Sequence, residues 1–96
     1  MPSAYVIADI DVHDPVQYEQ YKKLSTIAMQ AHGAEVCIRG GKVEVLEGDW
    51  APTRVVMLKF GSMEQARSFY ESVEYRAARE ARKGIANMRM IVVEGV

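Results

Sequence analysis

The sequence predicts an α+β domain of the ferredoxin-like type, in the order β-α-β-β-α-β, with an antiparallel sheet that carries its helices on one face. Three observations point there. Residues 4–12 alternate apolar and polar in the manner of a strand, and two later stretches carry apolar residues at helical spacing behind N-capping signals. Residues 53–60 are apolar at four successive positions, Val55 to Leu58, as in a strand covered on both faces. At 96 residues the chain has room for one core, so residues 1–96 form a single domain.

The elements follow in order. In AYVIADIDV, Val6, Ala8, Ile10 and Val12 take one face while Tyr5, Ile7, Asp9 and Asp11 take the other. Asp14 and Pro15 then open a helix, the acid accepting from first-turn amides and the proline fitting the first helical position. Tyr21, Leu24, Ala28 and Ala31 give it a narrow apolar stripe, and Gly33 closes it. Residues 34–48 have β-type composition around Gly40-Gly41, which reads either as a two-residue hairpin turn or as a bulge bending one long strand, the bulge being preferred. A loop at 48–52 leads into the strand at 53–60. Ser62 to Gln65 matches a capping box, and Met63, Ala66, Tyr70 and Val73 continue at helical spacing. A helical extension from Glu74 to Lys83, with Arg76 and Glu80 spaced to pair, precedes Gly84 and a last strand at 88–94.

Two helices cover one sheet face only, yet the 53–60 strand is apolar on both, and Ile7, Met88, Met90 and Val92 add to the apolar surface. The second face therefore calls for a homodimer packed sheet to sheet. Twelve Lys and Arg against thirteen Asp and Glu leave a net charge of −1, so neither nucleic acid nor an anionic membrane is an expected partner. The lone Cys37, the acids in the first eleven residues and the lack of a long apolar run fit a reducing, cytoplasmic setting.

Several strings resemble a known family. They are Asp14-Pro15 with Tyr18 and Tyr21, then Arg39-Gly40-Gly41, then the run from Leu46 through Trp50 to Arg54, and Phe60. Ala66 to Tyr75, Arg82 and Val93-Glu94-Gly95 extend the match, with Phe69 standing where many members carry Trp. Together they resemble the bacterial family called domain of unknown function 1330. The resemblance implies the dimeric α/β barrel superfamily, in which two ferredoxin-like sheets pack into one barrel, and whose members include cofactor-independent oxygenases and isomerases.

Glu47, Trp50 and Arg54 bracket a short loop, so a carboxylate, an indole and a guanidinium are expected on one rim, where Arg54 would meet a carboxylate or enolate. The plainer alternative pairs Arg54 with Glu47 and makes Trp50 a lid on the core edge. Tyr70, Ser72 and Tyr75 surround a break at the end of the second helix that would turn hydroxyls toward the same cleft, although Tyr70 also falls on the packing stripe. Asp9, Asp11 and His13 alternate along the first strand and could share a face, as an acid-base or metal-binding edge or simply as strand-end and helix-cap residues. No phosphate-binding glycine motif, metal-ligand spacing or nucleophile elbow is present, so no cofactor or metal is expected. Two functions remain open at this point. One is an enzyme acting on a small carbonyl or aromatic compound, with Arg54 stabilising negative charge and Glu47 or Asp11 moving a proton. The other is a non-catalytic dimeric protein that binds a small ligand.

Overall fold

The computed structural model describes residues 2–96. Strands β1 (Ala4–Val12), β2 (Glu35–Arg39), β3 (Arg54–Phe60) and β4 (Ala86–Glu94) form one antiparallel sheet in the order β2-β3-β1-β4. Helices α1 (Pro15–Ala31), α2 (Met63–Glu71) and α3 (Val73–Ala81) complete a ferredoxin-like α+β fold. Their buried residues, Tyr18, Tyr21, Ala28, Met29, Ala66, Phe69, Tyr75 and Ala78, join Ala4, Val6, Ala8 and Ile10 of β1 and Val56, Leu58 and Phe60 of β3 in one core. All three helices thus lie on a single face, and the Cα trace is only 16 Å deep along its shortest axis.

The alternation expected of β1 holds along its length. Its even-numbered residues from Ala4 to Ile10 are buried under the helices, while Tyr5, Ile7, Asp9 and Asp11 point to the open face. There they meet Val55, Met57 and Lys59 of β3 and Arg89, Ile91 and Val93 of β4, because directly paired residues of antiparallel strands share a face. Ile91 is 60% exposed and Val93 44%.

Three details of the expected pattern are corrected. The 34–48 stretch is neither a hairpin about Gly40-Gly41 nor one long bent strand. β2 ends at Arg39, Gly40 turns the chain at φ +73°, and the following residues, through Trp50, are exposed and form no strand. The bulge lies earlier, at Cys37, where the register with β3 slips between Val36 and Ile38. The stripe of the second helix is also rephased. Phe69 is buried while Tyr70 is 37% and Val73 73% exposed, since Ser72 adopts ψ 157° and divides the helix in two. Its hydroxyl donates to the Phe69 carbonyl and accepts from the Tyr75 amide, so it ends α2 and caps α3 together. Finally, Arg76 and Glu80 do not pair: Arg76 donates to the Glu71 carbonyl, and Glu80 bonds Lys83.

Candidate functional site: a cleft between the helices and the sheet

The restart of the helix at Ser72 aims Tyr75 inward, where it meets Tyr21 of α1. The two buried phenols share a hydrogen bond of 2.7 Å, and Arg82, at the C-cap of α3, donates Nη1 to the Tyr75 hydroxyl at 3.3 Å while lying against the Met88 sulfur. Burial pushes the pKa of both phenols above the ordinary tyrosine value; Tyr75 pushes that of Tyr21 further up, and Arg82 only partly offsets the rise. Both are therefore neutral hydroxyls at physiological pH, able to donate as well as accept.

This network divides the space between the two layers. On the α1 side is a cavity of about 30 Å³ lined by Tyr18, Tyr21, Ser25 and Ile10, with Lys22, Arg39 and Arg54 among its lining residues. That volume holds a water molecule or two, well short of an organic compound. Arg54 faces this side because it pairs with Ile10, and its guanidinium stands 5.8 Å from the centre of the Tyr18 ring. Arg39 arrives through the bulge. With one extra residue at Cys37, Arg39 pairs with buried Val56 and shares its face, and it donates to Thr26 Oγ1 at 2.8 Å. Neither guanidinium has a carboxylate partner among the described residues.

On the α2 side is a groove of about 370 Å³, in the size range of small-ligand sites. Its floor is apolar, made of Val6, Ala66, Met88, Met90 and Val92, and its polar rim consists of Arg67, Tyr70, Glu71 and Arg82. Arg79 stacks over the Tyr70 ring at 4.3 Å and holds it at the rim. Arg82 thus joins the groove to the buried phenol pair and, like Arg54, carries no ion pair among the described residues.

The residues expected to converge are distributed over the molecule. Tyr75 and Arg54 line the same small cavity, and Tyr70 lines the groove. Trp50 is on the opposite face of the sheet, where its indole donates to Asp9 Oδ2 at 3.1 Å beside Arg89, which bonds the same oxygen at 2.6 Å. The expected rim of Glu47, Trp50 and Arg54 does not form. Glu47 is exposed on the loop, and successive positions around Arg54 and Asp9 project through opposite sides of the sheet. Asp11 shares the open sheet face with Asp9, and both Asp11 and His13 are exposed, with the His13 amide bonding the Ile85 carbonyl. Ser72 is taken up by its two helix caps. The residues that sequence reasoning passed over are Arg39, Arg82 and Tyr21. Each belongs to one of the strings that carried the family resemblance, but nothing in the spacing showed that they face one cleft.

Residues 3–96 match the family described as a domain of unknown function, DUF1330. A comparison of the sequence with curated proteins finds no match. Among solved structures, a protein of unknown function from Rhodopseudomonas palustris is similar with a TM-score of 0.75 and 17% identity, over 99% of this chain and 83% of that one. SnoaB, a cofactor-independent oxygenase from Streptomyces nogalater, has a TM-score of 0.67 and 10% identity over 97% and 92%. A dimeric ferredoxin-like protein of unknown function from Thermobifida fusca has a TM-score of 0.65 and 13% identity over 97% and 91%. At these identities the likeness is one of fold.

Proposed function

Starting from the fact that the chain belongs to the DUF1330 family, whose description assigns no activity, we propose that it is a homodimer that binds a small apolar compound with an anionic end in the groove between α2 and β4. The observation that carries this reading is Arg82: a guanidinium without an acidic partner among the described residues, fixed by a buried phenol pair, at the rim of an apolar groove of about 370 Å³. A carboxylate or enolate would take the free donors of Arg82, and its apolar body would lie on Met88, Met90 and Val92. The neighbour from Thermobifida fusca, described as dimeric, supports a homodimer, and Ile7, Met57, Ile91 and Val93 on the open sheet face are what it would bury.

The enzymatic form of this reading needs no cofactor. Arg82 would stabilise the enolate or phenolate oxygen of a bound carbonyl or aromatic compound, and Glu71 at the same rim would accept the proton, in the place first given to Glu47 or Asp11. SnoaB, similar in fold and described as a cofactor-independent oxygenase, supports this class of chemistry. A second reading puts the anion at Arg54 and Arg39, favoured by their lack of acidic partners, and requires the two side chains to swing out and enlarge the small cavity.

Titration with 2-naphthoate followed by NMR separates these possibilities. Shifts at the Met88 and Met90 methyls and at Arg82 Nε, lost in Arg82→Gln, are expected. Shifts confined to Arg39 and Arg54 would move the site to the small cavity, and none at millimolar ligand would end the binding reading.

A further inference from the structure

The end of the cleft between α1 and the β2–β3 pair gathers positive charge. Arg39 and Arg54 leave the sheet on its helix side from neighbouring strands, and Lys22 of α1 lines the same cavity of about 30 Å³. The carboxylates of the adjoining elements are engaged or face elsewhere. Glu19 bridges Lys22 at 3.0 Å, Asp14 caps α1, and Asp9, Asp11 and Glu35 lie on the open face of the sheet. Burial raises the pKa of Tyr18 and Arg54 only partly offsets it, so this phenol stays neutral and is no counter-ion. Two guanidiniums are left without an acid among the described residues.

The local structure keeps them there. A Cβ at Gly40 would stand 2.8 Å from Arg54 Cζ, so the guanidinium occupies the space that the glycine leaves open. Arg54 Nε is buried, yet no hydrogen-bond partner for it exists among the described residues. Arg39 is held from the α1 side: it donates to Thr26 Oγ1 at 2.8 Å, and the Thr26 hydroxyl donates to the Lys22 carbonyl at 2.7 Å. A buried charged donor left unused is costly, and here the acceptor has to come from outside the chain.

We propose that Arg54 and Arg39 hold a small planar oxyanion, of the size of formate or bicarbonate, at a site separate from the groove. The fork of a guanidinium matches the two-oxygen edge of such an ion. Volume sets the class, since the cavity admits about three or four non-hydrogen atoms, too few for phosphate or for a carboxylate that carries a ring. Neither arginine has to swing out, in contrast to the alternative placement of the organic ligand, and Tyr21 and Tyr75 wall this site off from the groove.

The Nε–H signal of Arg54, shielded by burial, reports on the site by NMR while the wild-type protein is titrated with sodium formate or sodium bicarbonate at constant ionic strength. A saturable shift in the millimolar range is expected with at least one of the two. It should need at least about tenfold more anion in Arg39→Gln and the same concentration in Arg89→Gln, which removes a cation from the opposite face of the sheet. Sulfate, larger and tetrahedral, should not compete. A shift that never saturates, equal competition by sulfate, or an unchanged midpoint in Arg39→Gln overturns the proposal. Displacement of formate by 2-naphthoate also overturns it, by putting the organic ligand in this cavity. Shifts at Met88 and Met90 with 2-naphthoate, but none at Arg54 with either small anion, overturn it and leave the groove reading standing.

Discussion

Removing the Tyr75 hydroxyl tests whether the phenol pair is a structural linchpin of the cleft. In Tyr75→Phe, the buried Tyr21 hydroxyl loses its 2.7 Å partner and keeps only the Met88 sulfur at 3.9 Å, while Arg82 loses an acceptor. Leaving a buried hydroxyl without a good partner costs about 1–3 kcal/mol, so a loss of about 2 kcal/mol is expected. Tyr21→Phe should cost less, about 1 kcal/mol, because the Tyr75 hydroxyl still accepts from Arg82 at 3.3 Å. The double variant removes both ends of the bond and should cost less than the sum, with a coupling of about 1 kcal/mol. Urea unfolding at one fixed protomer concentration measures all three, since dimer stability depends on concentration. Additivity within about 0.5 kcal/mol would refute the reasoning, because it means that the hydroxyls do not depend on each other, and equal costs for the two single variants would show that Arg82 gives the Tyr75 hydroxyl no support.

Two further outcomes follow from the backbone and from the charges. Gly40→Ala places a Cβ at φ +73° and within 2.8 Å of Arg54 Cζ, so it should cost about 1–2 kcal/mol in urea unfolding and move the Arg54 NMR signals. On the acid side, hydrogen bonds from Arg89 and then Trp50 hold the Asp9 carboxyl below its ordinary range, as His32 does for Glu74. Lowered carboxylates confer stability that is fully present above their unfolded values, at about pH 4, and is lost as pH falls through the folded ones. The urea midpoint should therefore drop below about pH 4, and Asp9→Asn should flatten part of that drop while leaving the share due to Glu74; an unchanged acid limb would show that the Asp9 cluster contributes nothing.

The order of elements and the faces of β1 were legible in the sequence because period-two alternation and the caps at Asp14 and Ser62 are local signals, and the structure keeps them. What the sequence concealed lies where one residue changes the phase. Ser72 is a good N-cap in any setting, but whether it also breaks a helix depends on whether Tyr75 has something to meet, and its partner Tyr21 is 54 positions away. Continuous helical spacing therefore selected Tyr70 for the core, where the divided helix buries Phe69 and Tyr75. The bulge at Cys37 acts in the same way on a strand. Without it, strict alternation from Val36 would send Arg39 to the open sheet face; with it, Arg39 stands on the helix side with Arg54. Glu47, Trp50 and Arg54 failed as a constellation for a related reason. Nearness in sequence across a loop says nothing about which side of the sheet each residue leaves, and pairing with Ile10 sends Arg54 through one face while Asp9 draws Trp50 to the other. The cleft is thus defined by two phase shifts and a pairing register, each decided by contacts distant in the chain. Arg82 illustrates the consequence: it reads as one member of a charged helical run, and only the Tyr21–Tyr75 pair beneath it makes it the fixed cation of a groove.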